Sequence, residues 1–483
     1  MSLVQPDIMS FGPPTLLAGL ENAERMDRDQ HLDAHGPLRL LRTDDLVELA
    51  TAIDLRGRGG AGFPFARKLQ AVMKSAEGGT VKPAVIVNGS EGEPSCLKDT
   101  ALLLRTPHLV IDGAELAAAA IGADQVVIGV TRPDVEKALL DALSERGPSV
   151  IDIAAERLPE RFVTGESTAM TNGLNNGPAL PTGRKVRTSE RGLDGVPTLF
   201  SNTETFAQLA VASRLGAAGY RRTGLDEEPG TVLLTMSGAL VVECPTGVPL
   251  NYVLEMCGMA AGQGVLVGGY HGLWLDPVAA QKALVSRESM KALGARLGAG
   301  AVLPVPEDTC PLGEVARVAR WMADQSAQQC GPCVWGLARL ADELAALASG
   351  GGLPAYDAVF THIKGVKGRG ACSHPDGTSD FVASAISVFE DDVARHVQSD
   401  GCGRPVLGVL PLTNEEEAKN QSLVVDWTLC RGHGLCADVL PDVVQLGPDS
   451  YPVSPRMALG PEYGEDALKA VRRCPALALR IEG

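Results

Sequence analysis

Apolar residues recur along this 483-residue chain with different periods, and the changes of period divide it. A helical stretch from Asp44 to Ile53 leads into a glycine-rich loop, and a second helix from Pro64 to Ser75 follows. Two strand-like runs follow, Ala84 to Asn88 and Gln125 to Val130. Residues 1–227 therefore predict a mixed α/β domain. From 228 to 295 the runs become shorter, β-rich and punctuated by glycine: Thr231–Leu234, Gly238–Val242 and Val265–Val267 predict a small sheet domain. The segment 296–398 turns helical. Val315, Val318, Ala319 and Met322 share one helical face, as do Leu337, Leu340, Leu344 and Leu347, and again Phe381, Ala385, Val388 and Phe389. Residues 399–420, with Gly, Pro and the run Glu415-Glu416-Glu417, read as a linker before a compact unit at 421–483.

Composition narrows the class. The formal charge is −16 with acids and bases interspersed, which argues against a nucleic-acid binder. The first 27 residues hold a single basic residue, Arg25, so the charged start of a signal peptide is missing. The most apolar stretch, Val110 to Val130, is interrupted by Asp112, Glu115 and Asp124 and is too charged to span a bilayer. A cytoplasmic protein without membrane insertion is expected. Eleven cysteines in such a chain point to metal or redox chemistry rather than disulfides.

The loop Gly57-Arg58-Gly59-Gly60-Ala61-Gly62 matches G-x-G-x-x-G, yet a helix precedes it where a Rossmann fingerprint needs a strand. Its amides suit either a phosphate beside a helix N-terminus or a plain turn. The wider segment, Leu55 to Pro64 with Lys68, resembles the FMN-binding loop of the NADH-oxidising flavoprotein subunit of respiratory complex I. Three more motifs resemble that family in the same order: Asn88-Gly89-Ser90-Glu91-Gly92-Glu93-Pro94 with Lys98-Asp99, Gly165-Glu166-Ser167-Thr168-Ala169, and Pro197-Thr198 with Asn202-Thr203-Glu204-Thr205. The resemblance extends over roughly residues 40–395. It implies an α/β FMN-binding domain, a β-grasp (SLBB-like) domain, an all-α four-helix iron–sulfur bundle and, from the tail, an α+β ferredoxin. It also implies that Gly57, Arg58, Gly59, Gly60, Gly62 and Phe63 form the phosphate loop. Asn88, Ser90, Gly165, Glu166, Ser201, Asn202 and Thr205 would line the flavin, with Lys68 and Glu93 as catalytic residues near flavin and nicotinamide.

The departures are informative. Ser90 and Ser167 stand where the family usually has carboxylates, Arg187 where it has an adenine-stacking aromatic, Ala71 in place of another, and Arg184 in place of Lys. The run Arg184-Lys185-Val186-Arg187 is either a solvated basic loop or a holder of nucleotide phosphate, including the 2′-phosphate of NADPH.

Two cysteine groups carry the metal expectation. Cys330-Gly331-Pro332-Cys333 with Cys372 resembles the family's 4Fe–4S site, but the first cysteine falls at Ala327. Cys310 is too far to replace it, because a 14-residue helix of about 20 Å would intervene. His374 and Cys402 are nearer candidates, and three cysteines also suit a 3Fe–4S cluster. Cys430, Cys436 and Cys474-Pro475 follow the C-x-x-C-x-x-C…C-P pattern of bacterial ferredoxins with His433 in the central slot. This resembles the single-cluster ferredoxins, with 3Fe–4S favoured and His433 as a possible fourth ligand. The expected function is an oxidoreductase passing electrons from NADH or NADPH through FMN and clusters to the ferredoxin tail and an external redox partner. The alternative is a partner-fed electron-transfer subunit that does not itself oxidise NAD(P)H.

Overall fold

The computed structural model describes residues 5–21, 23–77, 79, 81–183, 186–412, 422–459 and 463–482. The chain divides into two compact units, residues 4–412 and 413–483.

In the first unit, four parallel strands run in the order Asp152–Arg157, Gln125–Val130, Ala84–Asn88 and Thr198–Asn202. The strand Ala84–Asn88 is buried over most of its length, which explains its unbroken apolar sequence. The chain leaves it for the strand on one side and later returns on the other, pairing Asn88 with Asn202. That is a topological switch point, where open α/β sheets leave a crevice beyond the strand ends. The helices Pro107–Ile121 and Thr203–Tyr220 cover the sheet in close contact: a Cβ on Gly113 would lie 1.9 Å from the Phe206 carbonyl oxygen.

A mixed six-stranded sheet follows the order Asp7–Ser10, Leu240–Pro245, Thr231–Met236, Ala301–Val305, Gly264–Val267, Leu273–Leu275. Two of its strands lie outside the expected 228–295 range. Asp7–Ser10 comes from the chain start, and Ala301–Val305 pairs with both Thr231–Met236 and Gly264–Val267. The boundary expected at 295/296 therefore falls beyond Val305.

The helical part comprises Pro311–Asp324, Ala338–Ala348, Gly352–Val366, His374–Val388 and Glu390–Gln398. The chain bends at Phe389 (φ −101°, ψ 34°), so five helices stand where four were expected. Residues 399–412 are not a free linker. Leu410 is fully buried, the Cys310 N–H donates to the Pro405 carbonyl at 2.8 Å, and the Tyr270 hydroxyl donates to the Pro411 carbonyl. Residues 413–420 lie outside the described residues.

The second unit has an antiparallel sheet ordered Arg456–Ala458, Ser422–Val425, Leu479–Glu482, with the helices Leu435–Val439 and Gly464–Arg473. Leu423, Val425, Leu440, Ala467 and Ala470 form its core.

Candidate functional site: a flavin cleft beside a cysteine cluster

At the switch point lies a cleft of about 920 Å³. Arg58, Gly59, Asn88, Ser90, Glu93, Gly165, Glu166 and Asn202 all line it, bringing together segments more than a hundred residues apart. The Asn88 amide donates to the Gly165 carbonyl at 2.9 Å, and its Oδ1 accepts from the Ser90 N–H at 3.1 Å. The loop Gly57–Gly62 is closed by the Gly57 N–H on the Phe63 carbonyl (2.9 Å) and tied to the next wall by the Arg58 N–H on Thr205 Oγ1 (3.0 Å). Gly60 has φ +120° with open space where a Cβ would point, a conformation that favours glycine.

Beneath the cleft is a buried charge network. Lys98 Nζ meets Asp99 Oδ1 at 2.9 Å, Glu204 Oε2 at 3.1 Å and Asn202 Oδ1 at 3.2 Å. Burial alone would lower the Lys98 ammonium, but Asp99, Glu204 and Glu91 outweigh it and hold it above its ordinary value. Removing one partner from such a network costs about 3–5 kcal/mol, because a buried charge is left unpaired. Glu91 accepts the N–H groups of Asp99 (2.8 Å) and Thr100 (2.7 Å), fixing the start of their helix. The Glu93 carboxylate accepts from the Tyr270 N–H at 2.6 Å and from the Ser95 hydroxyl. Burial raises Glu91 and Glu93 to about 7.

Lys68, Ser201 and Arg187 are not among the residues that line the cleft, whereas Glu166 is. Lys68, lowered to about 8 by burial, donates to the Phe200 carbonyl at 3.0 Å. Glu166 caps the helix Ser167–Leu174 by accepting from Thr168 and Ala169 N–H, and Ser167 Oγ donates back to it at 3.1 Å. Arg187 is exposed, while Arg184 and Lys185 lie outside the described residues. Ser201 is buried beside Asn202, and neither its hydroxyl nor that of Ser90 has a hydrogen-bond partner among the described residues. Buried hydroxyls left this way suit a polyhydroxylated ligand such as the ribityl chain of FMN, and the open glycine loop suits its phosphate.

The far wall of the cleft comprises Phe162, His271, Cys372 and His374, of which the sequence had marked Cys372 and His374 but neither Phe162 nor His271. Phe162 packs edge-on against His271 (4.7 Å between ring centroids) and lies 5.2 Å from His374. Cys330 and Cys333 have their sulfurs 3.9 Å apart across a turn of π-helix, Pro332–Leu337, a form frequent at functional sites. Burial pushes the Cys333 thiol up to about 12, reinforced by Cys330 and Cys372 beside it. Three neighbouring thiols of this kind suit iron ligation, which would hold them as thiolates. Ala327 is buried where the family's first cysteine would stand.

The two substitutes expected for it have other partners in the structure. His374 has both nitrogens engaged, with the Met322 carbonyl at 2.8 Å and His271 at 3.1 Å. Cys402 groups instead with Cys310.

In the second unit, Cys430, His433, Cys436 and Cys474 line one small pocket. The Ala478 N–H donates to Cys474 Sγ at 3.3 Å, the kind of hydrogen bond that tunes a cluster sulfur.

Three families match along the chain: the Nuo51 FMN-binding domain at residues 50–211, the NADH-ubiquinone oxidoreductase-F iron-sulfur binding region at 314–396, and a 4Fe-4S single cluster domain at 423–481. The chain is similar to the NADH-oxidising flavoprotein of complex I, with a ferredoxin domain joined to it. It is a flavin and iron–sulfur electron-transfer oxidoreductase. The F subunit of NADH-quinone oxidoreductase from Mycobacterium bovis is 28% identical over 411 residues, covering 79% of this chain and 91% of that relative. Its counterpart from Rhizobium meliloti, numbered 2 in that organism, is 29% identical over 410 residues, covering 77% and 96%. Among solved structures, a chain of an NAD+-reducing [NiFe]-hydrogenase in the H2-reduced state matches with a TM-score of 0.71 at 25% identity, over 82% of this chain and 68% of that one. Among the described residues no helix is long and apolar enough to cross a membrane.

Proposed function

We propose that this flavoprotein takes electrons from NADH or NADPH and delivers them, with its ferredoxin domain as the exit carrier, to a redox-partner protein in the cytoplasm. The observation that carries the reading is a shared wall. Cys372 lines the same cleft as Asn88, Ser90, Glu93 and Asn202, so a flavin held by these residues has a cluster ligand as its neighbour. FMN supplies the conversion of a two-electron hydride into single electrons, and iron–sulfur clusters supply one-electron carriers.

The chain's own residues perform the binding. Gly57, Arg58, Gly59, Gly60 and Gly62 present backbone amides to the phosphate, while Asn88, Ser90, Ser201 and Asn202 address the ribityl chain and ring. Glu93 stands at the cleft wall with Tyr270 holding one carboxylate oxygen, and the aromatic layer Phe162–His271–His374 excludes water between cleft and cysteines. Lys68, which keeps a depressed basicity behind the loop, sets local charge rather than contacting the cleft. The mixed six-stranded sheet acts as a β-grasp (SLBB-like) support whose Gly269–Tyr270 turn holds Glu93.

Ser90 and Ser167 remove negative charge from the nucleotide side. NADPH is therefore accepted at least as well as NADH. Each cluster has three cysteine ligands, and in the ferredoxin His433 or a 3Fe–4S nuclearity completes the set. Anaerobic titration of FMN-replete protein tests the whole reading: NADH or NADPH should bleach the flavin. Failure of both, with dithionite still effective, would instead assign a partner-fed role, the reading favoured by Arg187 standing exposed away from the cleft wall.

A further inference from the structure

At the opposite end of the helix Pro311–Asp324 from the C-x-x-C turn, four ligand-bearing side chains converge. Cys310, Asp392, His396 and Cys402 each place one ligand atom so that all four lie within 4.8 Å of one another. They come from three segments: the N-cap of one helix, one face of the helix Glu390–Gln398 at i and i+4, and the returning segment 399–412. Cys310, Asp392 and His396 are 3%, 4% and 2% exposed. Cys310 Sγ lies 3.4 Å from His396 Nε2, and His396 Nε2 lies 3.5 Å from Asp392 Oδ2. A tetrahedral ion with bonds of about 2.0–2.3 Å sets its ligand atoms roughly 3.3–3.8 Å apart, so both separations are tetrahedron edges.

Asp392 divides its two oxygens. Oδ1 accepts from Arg404, while Oδ2, turned toward the cysteine and histidine, has no hydrogen-bond partner among the described residues. A buried carboxylate oxygen without a donor is costly, and the atom that would satisfy it is a cation. Two donors already face the group. The Gly313 N–H donates to Cys310 Sγ at 3.2 Å at a helix N-terminus, and the Arg404 guanidinium bonds both Asp392 and Cys402.

We propose that Cys310 Sγ, Asp392 Oδ2, His396 Nε2 and Cys402 Sγ bind a structural zinc ion, distinct from the cleft and from both cluster sites. Two sulfurs, one imidazole and one carboxylate gathered within 4.8 Å select zinc over oxygen-preferring cations. Four protein ligands leave no open position, so the ion is structural rather than catalytic. Binding releases one proton from each thiol. The resulting site carries one net negative charge, which Arg404 balances. The ion fastens residues 399–412 to the bundle.

The test uses the full chain, purified anaerobically with its clusters in place, and metal analysis by mass spectrometry. About one zinc per chain is expected beside the cluster iron. Cys310→Ser/Cys402→Ser should lower zinc to background with flavin and iron retained. The single variant Asp392→Asn, milder for folding, should weaken zinc at least tenfold in chelator competition. Replacing zinc by Co2+ should give a thiolate-to-cobalt charge-transfer band that each single Cys→Ser substitution roughly halves. Iron-loaded wild-type protein without zinc, or zinc unchanged in the double variant, overturns the proposal. So does a Cys310–Cys402 disulfide found by thiol counting in that preparation.

Discussion

The helix Pro311–Asp324 separates two groups of cysteines that were reached by opposite routes. At its C-terminal end Cys330 and Cys333 sit three residues apart on one turn, and only Cys372 arrives from elsewhere. At its N-terminal end Cys310 waits for Asp392, His396 and Cys402, more than eighty residues away. The first group adjoins the cleft, and the second is buried but for a partly exposed Cys402. Ligands that serve electron transfer are thus placed at a cavity wall, whereas ligands that only fasten chain segments gather wherever those segments meet.

The largest expected effect breaks the pair apart. Cys333→Ser should remove the bundle cluster and with it nucleotide-driven reduction of the ferredoxin. Zinc at the other end should stay, as iron and zinc analysis on the same sample would show. Loss of both metals would mean that the two ends fold as one. Gly60→Glu should abolish flavin retention by placing a carboxylate where the phosphate sits, yet leave both metal sites loaded. Gly60→Ala shares the unfavourable φ of +120° without the charge, so flavin content separates electrostatics from strain. A subtler change sharpens the cluster end alone: Ala327→Cys supplies a fourth thiolate. It should convert any oxidised 3Fe–4S EPR signal of the bundle into one seen only on reduction.

The smallest effect is pH-dependent. Glu93 rises from its ordinary 4.5 to about 7 because burial disfavours its charged form. The native state therefore holds this proton more tightly than the unfolded chain. The stability it contributes is full below about pH 4.5 and is lost as pH rises through about 7. Glu93→Gln keeps an acceptor for the Tyr270 N–H and should flatten part of the fall in melting temperature between those values. Glu91, raised for the same reason, accounts for a remaining slope.

The parts legible in the sequence are those whose residues lie close together along it. The strands Ala84–Asn88 and Gln125–Val130 have the ends that were predicted, because the buried interior of a parallel strand is apolar and a polar residue, Asn88 or Gln125, marks where burial lessens. Asn88, Ser90, Glu93, Glu166 and Asn202 were found through their motifs and do meet at one cleft. Phe162 and His271 were missed because each is a lone residue in a segment with other business. Only the packing of sheet, loop and bundle brings them together. The linker reading of 399–412 failed for a related reason. Gly and Pro mark a lack of regular structure, which says nothing about whether the segment is packed down.

Ala327 has one further consequence. Each thiolate on an iron–sulfur cluster adds a negative charge that opposes the arrival of an electron, and net charge is among the terms that set its potential. A cluster held by Cys330, Cys333 and Cys372 alone, with the buried methyl of Ala327 in the fourth place, would be poised more positively than a site of four thiolates. It would accept electrons from the cleft readily and yield them reluctantly to a low-potential acceptor. One absent sulfur atom would then make the relay directional, with its clients confined to proteins lying downhill from it.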